Sequence, residues 1–336
     1  MRYTISLAMA SLAATTAVAE VPRVVTDIPP VHSLVAQVMG DLGAPVLLLE
    51  PGADEHSFQL RPSQAAALND ASVVFWIGPD LTPWLERALE TAPDTVGRVA
   101  LLGAGGSATR DYATDEAEHA EGEGAEHAEG EAHDHDAEHD HEAEAGAAEG
   151  THDHEEEHDH AHGGVDPHAW LAPANATVWV GVIAAELARL DPENAATYAA
   201  NAATATAAIA AADAKTRATL APLADRPFVV FHDAYGYFVD SYGLTLAGAV
   251  AEGDAADPGA ARVAALRDMV AAGGAVCLFP EAQHDPALLA QMTEGTVARI
   301  GGALDPVGST LEPGPQMYGA LLTGMAATIA TCLAGG

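Results

Sequence analysis

From position 193 to 220 the chain contains neither glycine nor proline and is dominated by alanine, with Tyr198, Ile209 and Leu220 set among the small residues. Alanine has the strongest helix propensity of any residue. The stretch therefore predicts a single helix of about 28 residues, roughly 40 Å long at 1.5 Å per residue. That is longer than one α/β lobe needs. The reading is a strut between two lobes, with a plain surface helix as the alternative.

What flanks the strut fits two lobes. Short β-rich runs at 24–28, 46–50 and 73–78 alternate with segments of helical periodicity at 33–39 and 62–71. Such a βαβαβ order predicts a parallel sheet covered by helices. A further helix is expected over 174–190. Beyond the strut the alternation restarts, with strand candidates at 228–231, 244–250, 275–279 and 297–304 separated by helical segments at 259–272 and 286–293. The expected fold class is α/β, with an N-terminal lobe over 20–190, a linking helix over 191–222 and a C-terminal lobe over 223–336.

Residues 1–19 read as a secretory signal. Arg2 supplies the positive start, positions 5–18 are apolar or small, and Ala17-Val18-Ala19 forms a cleavage site before Glu20. The apolar run falls short of the roughly 20 residues of a membrane-spanning helix, and no cysteine follows the cleavage site to take a lipid. An exported, soluble chain is expected. Cys277 and Cys332 fit an oxidising compartment and one disulfide, two buried free thiols being the alternative. A thiolate metal site would need the paired spacing that these distant cysteines lack.

The formal net charge of −36 excludes nucleic acid and anionic membrane surfaces as partners. Most of it is local: twenty Asp or Glu and no Lys or Arg lie between Asp115 and His162, leaving −16 for the remainder. Eleven of the sixteen histidines fall in the same segment, between His119 and His162. Two copies of the form HDHxxxHDH recur there, His133 to His141 and His152 to His160. With almost no large apolar side chains, 115–164 cannot offset its own ordering entropy, and disorder without metal is expected. Neutral imidazole suits zinc, copper and nickel. His135 and His139, like His154 and His158, are four apart, which one helical turn would place on one face. Several weak metal sites are expected.

Five histidines lie outside the tract. His56 sits in a turn, PGADEHSF, directly after the 46–50 run; His168 sits in DPHAWLAP, where order resumes; His232 closes the strand VVF and precedes DAYGYF. Ligands of open α/β sheets bind outside the carboxyl ends of strands. His56 and His232 occupy that position, one in each lobe. His32 reads as part of the first helix and His284 as a surface turn residue. Trp76, Trp84, Trp170 and Trp179 read as core or cleft-wall aromatics.

The strings PGADEHSFQLRPSQ, DPHAWL and FHDAYGYF resemble three signatures of the ZnuA-type zinc-binding proteins, the metal-binding subunits of bacterial ABC importers. The resemblance runs from about Val24 to the C-terminus apart from the tract, and includes Cys277-Leu-Phe-Pro-Glu281, Leu304-Asp305-Pro-Val-Gly308 and Cys332. It implies two Rossmann-like lobes with the metal site in the cleft between them. His56, His168 and His232 are implied as three imidazole ligands of one zinc. Glu55 is implied as the fourth ligand, with water as the alternative. Asp305, which aligns with a carboxylate ligand of manganese-type relatives, is expected near the zinc. At the third position those relatives carry a carboxylate, so His232 favours zinc. The resemblance also implies that Cys277 pairs with Cys332. Pro280-Glu281-Ala282 departs from the Ala-Glu-Pro of many relatives and is read as a change in a turn.

The implied function is zinc capture in the periplasm by a monomer, and delivery to a membrane permease. Three rivals share parts of this pattern: a zinc hydrolase, a manganese or iron importer subunit, and a periplasmic zinc chaperone or buffer. The hydrolase reading is opposed by the absence of HExxH and of any clear general base other than Glu55.

Overall fold

In the computed structural model the described residues are 20–56, 58–112, 164–251 and 259–335. The expected signal, 1–19, and the expected disorder of the histidine tract concern residues outside this set, apart from Gly164 at the tract's end.

Two four-stranded sheets form, each wholly parallel. The first contains β1 (Val24–Thr26), β2 (Val46–Leu47), β3 (Val73–Trp76) and β4 (Gly97–Ala100) in the order β2-β1-β3-β4. The second contains β5 (Phe228–His232), β6 (Leu246–Ala251), β7 (Cys277–Phe279) and β8 (Arg299–Ile300) in the order β6-β5-β7-β8. The two orders are the same. In each, the chain leaves the first strand to one side, then crosses back to the other, and a crevice opens at that switch.

Helices α1 (Pro29–Met39), α2 (Pro62–Asn69) and α3 (Pro83–Thr91) belong to the first sheet, followed by α4 (Pro173–Leu190). All four start on proline, whose fixed φ and missing N–H suit the first helical turn. The second sheet carries α6 (Gly236–Tyr242), α7 (Ala260–Ala271), α8 (Ala287–Thr293) and α9 (Met317–Leu333).

Between them runs α5 (Ala195–Leu220), 26 residues long. Its buried residues, Tyr198, Ala205, Ile209, Ala212, Thr216 and Leu220, recur at three-, four- and seven-residue spacing and form one stripe. The helix packs on α1 and α4 from the first half and on α9 from the second. One apolar cluster joins Val24 and Phe75 of the first sheet to Phe228 and Phe279 of the second, with Tyr198, Ile209 and Leu220 of α5 within it. The strut expected from the alanine stretch is thus present, and it is part of a shared core. Each sheet keeps a separate cluster on its other face, around Val74 and Trp84 in one case and Val229 and Leu278 in the other. Burial on both faces is what parallel sheets require.

β1, β2, β3 and β8 end earlier than expected from sequence, whereas β5 and β6 each run one residue further, and hydrogen bonding continues past the ends of the first three. Leu48 and Leu49 N–H donate to the carbonyls of Thr26 and Asp27, and Leu102 N–H to that of Ile77. Cys277 on β7 and Cys332 on α9 form a disulfide, with Cα atoms 6.3 Å apart. Among the described residues no helix is long and apolar enough to cross a membrane.

Candidate metal centre

Three imidazoles from distant parts of the chain meet where the two sheets face each other. Ring centroids are 5.9 Å apart for His56 and His168, 6.2 Å for His56 and His232, and 5.4 Å for His168 and His232. One ligand atom from each lies within 4.8 Å of the others. A tetrahedral zinc with Zn–N bonds of about 2.0–2.1 Å would hold its nitrogens about 3.3 Å apart.

Each histidine is placed by a local device. The His56 backbone N–H donates to Asp54 Oδ1 at 2.8 Å, which closes a tight turn after β2. Trp84 Nε1 donates to the Glu55 carbonyl at 2.8 Å and pins that turn to α3. The His168 backbone N–H donates to Asp166 Oδ1 at 2.9 Å, and its ring Nδ1 lies 2.9 Å from the same oxygen. His232 ends β5, with Nδ1 2.7 Å from both oxygens of Glu281. Asp166 and Glu281 are buried, as are His168 and His232. A carboxylate on Nδ1 fixes the Nδ1–H tautomer and leaves Nε2 to present its lone pair, the arrangement that orients metal-ligating histidines.

Asp166 is itself held. Its Oδ2 pairs with Arg110 Nη1 at 3.2 Å, and Arg110 Nε reaches Asp240 on α6 at 3.3 Å. Arg110 fills the space beside Gly236, where a Cβ would lie 1.1 Å from its Nη1. Trp170, beside His168, donates from Nε1 to the Pro306 carbonyl and accepts at its own carbonyl from Tyr318 Oη. The His168 segment is thereby fastened to the second half.

Glu55 is buried next to His56, with Oε1 3.7 Å from His56 Nε2. Burial pushes its carboxyl up to about 7, while His232 and His168 pull in the opposite direction. Its carboxylate groups with Asp54 and His56, separately from the set of three imidazoles, and His56 is common to both groups. Asp305 is committed elsewhere. Its Oδ1 accepts from the Ser309 N–H and hydroxyl, and its Oδ2 from the Thr310 N–H and hydroxyl. These bonds close the 305–310 turn, and they favour Glu55 over Asp305 as fourth donor.

His32 lies in α1, as expected, and is buried. His284 is exposed as expected, but its ring is stacked on Phe231 at 4.2 Å. Two functional side chains escaped the sequence reading. In the sequence Glu281 stands in a turn and Asp166 two positions before His168, and neither is a candidate there in its own right. For Asp166 a signal existed, since an aspartate two residues before a histidine can bond both its backbone and its ring. For Glu281 the signal lies in strand order, which places the end of β7 beside the end of β5.

Comparison with known proteins agrees with the geometry. The family described as zinc-uptake complex component A, periplasmic, matches residues 24–332. The chain is 51% identical to the high-affinity zinc uptake system protein ZnuA of Paracoccus denitrificans (strain Pd 1222), over 98% of each chain. It is 38% identical to the protein of the same name from Brucella abortus (strain 2308), over 92% of this chain and 91% of the other. Among solved structures, a crystal structure of ZnuA shares the fold with a TM-score of 0.69 at 24% identity, covering 93% of this chain and 99% of that one. The periplasmic zinc binding protein TroA from Treponema pallidum does so with a TM-score of 0.71 at 19% identity, at the same coverage. The chain belongs to the ZnuA family of periplasmic zinc-uptake components.

Proposed function

We propose that this protein captures zinc in the periplasm as a monomer and delivers it to the permease of an ABC importer. The observation that carries the reading is the convergence of His56, His168 and His232, two of them with Nδ1 held by a buried carboxylate. Imidazole nitrogens favour zinc over harder cations such as manganese, and relatives at 51% and 38% identity bear the name of zinc uptake proteins. In this reading His56, His168 and His232 ligate the ion through Nε2 and Glu55 closes the shell. A closed shell of four protein ligands leaves no position for an activated water, which separates a carrier from a zinc hydrolase. Residues 1–19 act as the export signal. The working parts are a lobe over 20–190, the linking helix over 191–222 and a lobe over 223–336. The tract over 115–164, with its eleven histidines, adds weaker zinc sites.

His232→Ala tests the reading. The variant is expected to lose the tight zinc while keeping its circular dichroism spectrum, because one of three imidazoles is gone and the side chain is not a packing element of the apolar core. Zinc retained at unchanged affinity, with the tract's weak sites resolved by calorimetry, would refute the ligand assignment. Tight manganese binding with zinc excluded would favour the manganese reading instead.

A further inference from the structure

A fourth imidazole stands just outside the cluster. A pocket of about 430 Å³, its open mouth included, adjoins two of the three rings and is lined in part by Asp54, His56, Phe231, His232, Glu281 and His284. The His284 side chain is 42% exposed, against 2% for that of Glu281. Its ring centroid lies 6.5 Å from that of His232, little more than the separations among the three clustered rings. The ring stacks on Phe231 with planes 22° apart, which fixes its plane and leaves the nitrogen-bearing edge unobstructed by that contact. His284 Nε2 is 3.8 Å from Glu281 Oε2.

A separation of 3.8 Å is too long for a hydrogen bond. It does suit two donors that share one ion, since zinc at about 2.0–2.1 Å from each can bridge atoms up to about 4 Å apart. Both oxygens of Glu281 lie 2.7 Å from His232 Nδ1, so Oε1 can keep that hydrogen bond while Oε2 turns to an ion. A buried carboxylate and a half-exposed imidazole thus face one another beside the cluster, with Asp54 contributing negative charge nearby.

We propose that His284 Nε2 and Glu281 Oε2 form a transient arrival site, where incoming zinc is held before it passes to His232, His56 and His168. The proposal rests on the zinc-capture reading. Hydrated zinc exchanges one water for His284 and one for Glu281 Oε2, then exchanges both of these for cluster ligands, so only metal–ligand bonds change. His284 touches the ion on the way in and out, and not in the final state. Contacts made only along the path alter rates without altering equilibrium, by the same logic that separates transition-state from ground-state binding.

The test is stopped-flow tryptophan fluorescence on the full mature chain. Trp170, with its ring 5.1 Å from that of His168, reports arrival at the cluster. Association is followed with one equivalent of zinc, and dissociation from the loaded protein into excess chelator. For His284→Ala both rate constants are expected to fall together by about tenfold, which leaves the affinity unchanged within about twofold. His284→Asp, which returns a ligand atom at that position, is expected to recover most of the lost rate. Unchanged rates in His284→Ala would overturn the proposal. So would faster dissociation at an unchanged association rate, which would make His284 a ligand of the final site. Failure of His284→Asp to recover any rate would reduce the residue to a packing role on Phe231. A wild-type chain that takes up no zinc at the cluster overturns the capture reading itself, a result distinct from any behaviour of the variants.

Discussion

One oxygen of Asp166, Oδ1, receives both the backbone N–H and the ring Nδ1 of His168, each at 2.9 Å. A single carboxylate therefore sets the turn that carries the histidine and the rotation of its ring. Asp166→Asn keeps the volume but removes the charge that strengthens the imidazole as a donor. Zinc affinity is expected to fall by about 10- to 100-fold, measured by competition with a chelator, with Arg110 still paired to Asp240. Unchanged affinity would show that packing alone orients His168.

Glu281→Gln probes the second histidine. Burial alone would raise this carboxyl, but the adjacent His232, with His284 and the Tyr235 hydroxyl, holds it below the usual range. It is therefore a charged acceptor for His232 Nδ1–H. Glutamine either offers a weaker neutral oxygen or turns its amide toward the ring and forces the Nε2–H tautomer, which blocks the ligand atom. A loss of about 10- to 100-fold in zinc affinity is expected, with the zinc-free unfolding midpoint little changed. The same competition titration decides it.

Reduction of Cys277–Cys332 should destabilise the second half without unravelling α9 first. The bond closes a 55-residue separation, for which chain entropy gives about 4 kcal/mol. The end of α9 has other restraints, because Arg226 donates to the Leu333 carbonyl and Arg299 to that of Cys332. Urea unfolding of the zinc-free protein, oxidised and reduced, is expected to show a lower midpoint and a single transition in the reduced form. Free thiols in the untreated, denatured protein would contradict the pairing.

Asp27 predicts a pH dependence. Its oxygens accept from Ile28 N–H and Ile77 N–H, both at 2.8 Å, in a fully buried position. Burial outweighs those bonds and pushes the carboxyl up from 3.8 to about 7. Below about pH 4 the folded and unfolded chains both carry the proton. From there to about 7 the unfolded chain releases it and the folded chain keeps it, so stability falls as pH rises, by at most ~1.4 kcal/mol per pH unit. Asp27→Asn removes this dependence. The stability of the wild type relative to the variant, zinc-free and measured in urea, should decline between about pH 4 and about pH 7 and level off above that. A constant or rising difference would refute it.

The parts legible in the sequence were those that local chemistry dictates. Alanine over 193–220 specified α5, and Pro62 marked the start of α2, whereas α1 and α4 begin on Pro29 and Pro173, ahead of the expected starts at 33 and 174, and the short α3 has no expected counterpart. His56, His168 and His232 stood out because each is a polar residue in or beside an apolar segment, at a strand end or turn. β4 was missed because a four-residue edge strand with no fully buried residue leaves no alternation to read. α9 was missed for the opposite reason, since a helix apolar on nearly every side has little periodicity. Glu281 could not be assigned from sequence because its partner lies 49 positions away on a neighbouring strand. Which strands are neighbours is decided by the packing of the whole sheet.

The repeated strand order has a mechanical consequence. In the first sheet the crevice between β1 and β3 is plugged by Asp27, which ties Ile77 to the end of β1. In the second, the crevice between β5 and β7 holds the His232–Glu281 pair. The three imidazoles are thus divided unequally, two carried by loops of the first half and one by a strand end of the second. The His168 loop, although it precedes α5, is tied to the second half through Trp170 and Asp166, so a displacement of one half against the other would separate His56 from the other two. An ion gripped across that seam would feel such a displacement as the loss of one ligand out of the set, so a shift much smaller than a full opening would be enough to loosen it.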